Sequence, residues 1–181
     1  MSQLETAVPT GTWTSDGLHS TIEFAVKHMA VATFRGRIAD FSATLETAGD
    51  GTWRIDATAR PATIATGDAN LDGHLRAPDF FDAERHPEIR LVTRQVERDG
   101  DAIRALADLT IRGETREVEL RGTSEGPASD PYGNTRIGLE LTTTVDRTAF
   151  GLNWNLPLPS GEPALSNEVT LVAGLFFVKE D

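Results

Sequence analysis

Residues 102–121 read Ala102-Ile103-Arg104-Ala105-Leu106-Ala107-Asp108-Leu109-Thr110-Ile111-Arg112-Gly113-Glu114-Thr115-Arg116-Glu117-Val118-Glu119-Leu120-Arg121. Ile103, Ala105, Ala107, Leu109 and Ile111 alternate with Arg104, Asp108 and Thr110. Side chains two apart share one face of a β-strand, so this run is a strand with one buried face. Arg112-Gly113-Glu114 is a short hairpin signal. Beyond it Val118 and Leu120 alternate with Glu117, Glu119 and Arg121. Two half-buried strands across a tight turn make an antiparallel hairpin.

The same period extends in both directions. Ile22, Phe24, Val26 and His28 share a face, with Thr21, Glu23 and Lys27 opposite. Trp53, Ile55 and Ala57 alternate with Arg54, Asp56 and Thr58, and Ile89 and Leu91 follow Pro87. Ile137, Leu139, Leu141, Thr143 and Val145 form another apolar-rich face, and Val169, Leu171, Ala173, Leu175 and Phe177 the last. Gly49-Asp50-Gly51 and Asp99-Gly100-Asp101 are further turn signals. The stretch Ser124–Asn134 holds two prolines and two glycines and reads as a longer surface loop. Short turns between successive strands imply a meander, and a sheet of about eight strands with one apolar face must close or find a second sheet. The expected fold is all-β: an antiparallel meander of about eight strands that closes into a barrel or packs on a second sheet.

One segment breaks the alternation. Asp68-Ala69-Asn70-Leu71-Asp72-Gly73-His74-Leu75-Arg76-Ala77-Pro78 predicts a short helical insert, with Thr66 or Asp68 as its cap and Leu71 and Leu75 on one face. Pro78 opens a second turn over Asp79-Phe80-Phe81-Asp82. Two adjacent phenylalanines there predict a lid packed on one end of the barrel. Asn155–Pro163 holds three prolines and a glycine and reads as a loop inside one domain. The expected organisation is an N-terminal tail over 1–10 and a single domain over 11–181.

Composition narrows the function. The net charge of −11 argues against a nucleic-acid partner and against simple docking on an anionic lipid surface. Without cysteine there is no disulfide, thiolate nucleophile or cysteine zinc site. No apolar run is long enough to span a membrane. Met1–Thr6 lacks a basic region followed by an apolar run, so a cytoplasmic chain is expected.

Few residues invite chemistry. His74 lies near Asp68 and Asp72, so a metal site using His74, Asp72 and perhaps a distant His28 is one alternative. Gly122-Thr123-Ser124-Glu125-Gly126 matches a nucleophile-elbow pattern, but no helix pattern follows it, so it reads as a chance match. Phe34-Arg35-Gly36 and Asp146-Arg147-Thr148-Ala149-Phe150-Gly151 each set an arginine beside an aromatic residue and a glycine, which suits a phosphate or carbonyl head group as well as a rim salt bridge.

The residues also add up to a resemblance. Asp16-Gly17-Leu18-His19-Ser20 leads into Phe24-Ala25-Val26-Lys27-His28 and Phe34-Arg35-Gly36. Then come Asp68 with Leu71-Asp72-Gly73-His74-Leu75, Asp79-Phe80-Phe81-Asp82 and His86-Pro87-Glu88-Ile89. Asp108–Gly113, Asp146–Gly151 and Leu165-Ser166-Asn167-Glu168-Val169 complete the order. In this order and spacing the chain resembles the YceI-like, polyisoprenoid-binding family from about Gly11 to Val178. The resemblance implies a lipocalin-like antiparallel up-and-down β-barrel of about eight strands with a short helical insert, whose pore holds an isoprenoid chain, such as a polyprenyl phosphate or diphosphate or a prenylated quinone. It also implies a secretion signal in many members, from which this N-terminus departs.

The expected function is therefore non-enzymatic binding, sequestration or transport of an isoprenoid or other long apolar molecule, with no cofactor and no metal. Expected lining residues are Ile22, Phe24, Val26, Leu109, Ile111, Val118, Leu120, Leu139, Leu141, Leu171 and Leu175. Phe80, Phe81, Phe150 and Trp154 are expected at the lid or mouth, and His28, Arg35, His74 and Arg147 at the head group. A homodimer is expected by analogy alone. The rival readings are the metal-dependent enzyme and a solid, side-chain-filled barrel that binds proteins.

Overall fold

The computed structural model describes residues 7–181. Residues 1–6, most of the expected tail, lie outside the described residues. The strands are β1 (Gly11–Ser15), β2 (Thr21–His28), β3 (Ala32–Ile38), β4 (Phe41–Thr47), β5 (Trp53–Ala59), β6 (Ile64–Ala65), β7 (Ile89–Asp99), β8 (Ala102–Ile111), β9 (Glu114–Ser129), β10 (Thr135–Asp146) and β11 (Leu165–Lys179). One helix, α1 (Ala69–Arg76), lies between β6 and β7. It is far too short to cross a membrane, and no helix among the described residues is long and apolar enough to do so.

The eleven strands build eight staves. β1 and β2 both pair with β11, and on their other side they pair with β4 and β3 respectively, so they are one stave interrupted by the turn Asp16–Ser20. β3 and β4 form a second stave broken at Ala39–Asp40, and β5 and β6 a third, broken by a 3-10 turn at Pro61–Thr63. Each stave then neighbours the next in sequence, and β11 closes the ring on β1. The result is an eight-strand antiparallel up-and-down barrel with one short helix, as the resemblance implies.

The hairpin that opened the reading is tight. Arg112 and Gly113 sit at φ 51° and 75° between β8 and β9. Two positive φ angles in a two-residue loop are what the right-handed twist of the flanking strands requires. The loop expected over Ser124–Asn134 is much shorter. β9 continues to Ser129, and only residues 130–134 lie outside strands. Pro127 is tolerated within β9 because the pairing with β10 is irregular between Arg136 and Gly138, where its missing N–H leaves no ladder bond unmade. Gly122-Thr123-Ser124-Glu125-Gly126 is therefore mid-strand, without an elbow.

One end of the barrel is solid. Trp13, Leu45, Trp53, Ile103, Ile137 and Phe177 are buried there. The Trp13 indole N–H donates to Thr47 Oγ1 at 3.1 Å, so its one polar atom is satisfied. Thr47 in turn donates to the Pro9 carbonyl at 2.8 Å, and Val8 packs on the core, so the described residues before Gly11 lie against the barrel. Arg98 stacks 4.0 Å over the Trp53 ring. A clasp of charges spans this end. Arg136 donates to Asp16 at 3.1 Å and to Asp130 at 2.7 Å, and His19 sits 2.6 Å from Asp16. Hydrogen bonds from His19 and Arg136 lower the Asp16 pKa to about 2.

Two measurements check this account. A Cβ on Gly122 would lie 1.6 Å from the Glu140 carbonyl oxygen, whereas one on Gly73 in α1 would meet open space. Gly122→Ala is expected to destabilise by ~1–3 kcal/mol, while Gly73→Ala is expected to stabilise by ~0.5–1 kcal/mol, both read by chemical denaturation. The Asp16 carboxyl is depressed in the folded state, so its contribution is full above its ordinary value of 3.8 and is lost as pH falls toward about 2. Arg136→Gln is expected to flatten the fall of the thermal midpoint through that window; an unchanged slope would show the clasp to be energetically idle.

Candidate functional site

The other end of the barrel is hollow. A cavity of about 410 Å³ runs between the inward faces of the staves and a cap made of α1, the turn carrying Phe80 and Phe81, and the 3-10 turn Arg147–Phe150. Small-molecule pockets span roughly 300–1,000 Å³. The hollow arises from side-chain size. Ala57, Ala59 and Ala173 face inward here, where the solid end carries tryptophan and phenylalanine. The wall is apolar apart from Glu23, His28, His74, Thr143 and Arg147.

The cap is built from local signals. The Asp68 carboxylate accepts from the N–H groups of Asn70 and Leu71 at 2.9 and 3.0 Å and so starts α1. The other candidate cap, Thr66, instead hydrogen-bonds Asp72, donating from N and Oγ1 at 2.8 and 2.6 Å. Leu71 and Leu75 point one helical face into the cavity. Ala77 ends the helix before Pro78, and the Phe81 N–H returns to the Leu75 carbonyl at 3.0 Å. That folds Phe80 under the helix, where it is buried. His74 stands edge-on between Phe80 and Trp154, 4.9 Å from each ring centroid, with Asp79 3.4 Å from its Nε2.

Arg147 is the unusual polar group. It is only 6% exposed, and no carboxylate lies within ion-pair distance of it among the described residues. Its Nε donates to the Ser166 carbonyl at 2.9 Å, and Nη1 donates to the Leu152 and Trp154 carbonyls at 2.7 and 2.9 Å. Nη2 is buried with no partner among the described residues. Burial pushes the guanidinium pKa down, and neighbouring Asp146 opposes that. The planar fork thus pins β11 and the loop after the 3-10 turn to the barrel rim, and it leaves one donor group unspent beside an apolar cavity.

Most of the expected residues come together here. Ile22, Phe24, Val26, Leu109, Ile111, Leu120, Leu141, Leu171 and Leu175 line the cavity, as do Phe80, Phe81, Phe150 and Trp154 at the cap. His28 is exposed at the mouth, and His74 and Arg147 are in the wall. Three expectations need correction. Arg35 faces solvent, because Phe34, Gly36 and Ile38 take the inward positions of β3. Leu139 is on the inward face but buried toward the solid end, two residues below Leu141. Val118 is buried in the core without reaching the cavity, on a strand against which the Arg147–Phe150 turn packs.

Other lining residues went unanticipated. Phe34, Leu71, Ile89, Leu152 and Leu165 each reach the cavity, and period two already places Phe34 opposite Arg35. Arg112 was missed altogether. From the β8–β9 turn its Nη1 donates to the Phe80 carbonyl at 3.3 Å and the Gly151 carbonyl at 2.9 Å, tying both halves of the cap together. The metal alternative does not assemble. Asp72 is engaged by Thr66, His74 is wedged between aromatic rings, and no group of three His, Cys, Asp or Glu among the described residues has metal-binding geometry.

Comparison with known proteins agrees with this architecture. The family model described as a YceI-like domain matches residues 13–177. The chain belongs to the YceI-like family. A UPF0312 protein of Staphylococcus aureus (strain USA300) is 33% identical over 173 residues, covering 91% of this chain and 96% of that protein. Among solved structures, Burkholderia cenocepacia BcnA superposes with a TM-score of 0.76 at 18% identity, covering 90% of this chain and 98% of its own. A polyisoprenoid binding domain from Saccharophagus degradans, implicated in plant cell wall breakdown, superposes with a TM-score of 0.72 at 12% identity, over 95% and 100% of the two chains. These identities carry the YceI-like fold.

The role given to Arg147 has a direct check. Lysine is cationic but cannot present the fork, so Arg147→Lys is expected to lose about 2–3 kcal/mol through carbonyls left unpaired. At this chain length that is a fall of roughly 5–10 °C in thermal midpoint. A midpoint within a degree of the parent protein would mean the three carbonyl bonds carry no weight.

Proposed function

We propose that this protein binds and sequesters an isoprenoid lipid, a polyprenyl phosphate or diphosphate or a prenylated quinone, without transforming it. The observation that carries the reading is the cavity itself: about 410 Å³, walled by aliphatic and aromatic side chains, and open near His28. A chain of branched five-carbon units fits such a wall because every methylene it buries gains about 0.8 kcal/mol with no directional requirement. The unpartnered Nη2 of Arg147 supports the amphiphilic half of the proposal. A shift of the guanidinium that uncovers this closed-off atom lets an oxygen of the ligand's polar end accept from it, which meets a buried donor's need and fixes the ligand's direction. Holding is favoured over catalysis because two of the polar residues of the wall, His74 and Arg147, occupy structural posts. Arg147 braces the rim and His74 packs between Phe80 and Trp154.

Organic extraction of the purified protein followed by mass spectrometry tests the proposal. The expected result is a near-stoichiometric lipid whose mass falls on a ladder of isoprene units, with an oxygen-bearing head. Leu171→Glu, which sets an unpaired charge in the cavity wall, is expected to fold and to lose that lipid. Extracts free of any long apolar molecule, from protein that also fails to take up added polyprenyl phosphate or ubiquinone, would end this reading in favour of an empty or protein-binding barrel.

A further inference from the structure

The β2–β3 hairpin stands apart from the rest of the surface. On its outer face Lys27, Arg35 and Arg37 are all exposed. Glu23 is the direct cross-strand partner of Arg37, yet none of the three cations has a carboxylate within ion-pair distance among the described residues. Several exposed arginines elsewhere are paired, as Arg90 is with Asp56, Arg94 with Asp108 and Arg104 with Glu119, while Arg54, Arg76 and Arg98 are without an ion pair among the described residues. The net charge of −11 opposes docking of the chain as a whole on an anionic surface, but this one face is locally positive.

The tip of the same hairpin is apolar and exposed. Met29 and Ala30 turn the chain with φ of 53° and 59°, a left-handed pair built without glycine. Met29 is 46% exposed and Val31 86%. The Met29 N–H donates to the Ala164 carbonyl at 2.7 Å, and the Ala164 N–H donates to the Leu156 carbonyl at 2.8 Å. Leu156 is 55% exposed, so Met29 and Leu156 lie along one backbone hydrogen-bonded line, with Val31 two residues beyond Met29 in the hairpin. That line borders the cavity mouth: His28, Phe34 and Leu165, immediately beside it, line the cavity. Cations on a strand whose far edge pairs only at Arg37 and Ile38 also discourage edge-to-edge association. That accounts for the charges but not for an uncovered apolar tip at the rim of a lipid-shaped hollow.

We infer that the β2–β3 hairpin is a docking edge for an anionic lipid surface, with Met29, Val31 and Leu156 entering the interface while Lys27, Arg35 and Arg37 face the head groups. The inference rests on the reading that the cavity takes a lipid, and it supplies the route by which the lipid enters. Charge complementarity and continuity with the mouth select a membrane over a protein partner. The interaction is weak and salt-sensitive, since a few basic residues near a surface act within a Debye length. The overall acidity of the chain keeps it reversible.

Co-sedimentation of the full chain with vesicles tests it, using equal parts phosphatidylglycerol and phosphatidylcholine against phosphatidylcholine alone, at low ionic strength. The expected result is binding to the mixed vesicles only, weakened by salt. Arg35→Glu with Arg37→Glu is expected to lower partitioning about tenfold or more, and Val31→Asp to lower it as well. Arg54→Glu with Arg121→Glu, of the same net charge but away from the mouth, is expected to match the parent protein. Lipid extracted from each variant is measured in parallel, so loss of vesicle binding with cavity lipid retained separates docking from storage. Binding unaffected by the Arg35 and Arg37 reversals, equal binding to phosphatidylcholine, or no vesicle binding by the parent protein would each overturn the inference. So would self-association through the hairpin in place of vesicle binding, which would make a second copy the occupant of this edge.

Discussion

Closing eight antiparallel staves into a ring sets the width of the space inside, and everything else in this protein follows from how that space is filled. The interior of such a ring is wide enough for packed side chains or for one slender guest. At the end where β1 meets β11, Trp13, Trp53 and Phe177 fill it completely. At the other end alanines replace them, and the same ring becomes a container. The switch between solid and hollow needs no change in topology. It needs only a gradient of inward side-chain volume along the staves.

The breaks in the staves serve the hollow end. β6 pairs with β3 through two residues before the chain leaves the sheet, and α1 with the following turn occupies the end of the barrel thus left. A cap made this way must be anchored, because a short helix gains little stability from its own hydrogen bonds. Two arginines do the anchoring. Arg112 joins the Phe80 turn to Gly151, and Arg147 joins Leu152, Trp154 and Ser166. The cap is therefore fastened to the rim through main-chain carbonyls, while its inward surface stays apolar and adaptable.

Much of this was legible in the sequence, and the reasons for what was not are physical. Period two identifies the inward face of a strand, so Leu109, Ile111, Leu141 and Leu171 fall where alternation puts them. Period two carries no information about depth along a stave. Leu139 shares a face with Leu141 but packs toward the solid end, and Val118 is likewise inward without reaching the void. Arg35 was placed by its neighbours Phe34 and Gly36, whereas alternation across those neighbours turns it outward. Strand interruptions at Asp16–Ser20 and Pro61–Thr63 look like ordinary loops until the pairing shows that β1 and β2 share β11, and that β5 and β6 pair with β4 and β3, the two halves of one stave. Arg112 escaped notice because its role is in carbonyls distant in sequence, 32 and 39 residues away. No local pattern reports such a bond.

The central claim is that the hollow end is built to be occupied. A crystal structure of the protein as purified from the cells that make it tests this most directly. The account predicts continuous, elongated density inside the barrel, walled by Phe24, Leu141 and Leu171, with its polar end about 3 Å from Arg147 Nη2. A barrel whose side chains collapse to fill the space, or one holding only scattered water, would contradict it.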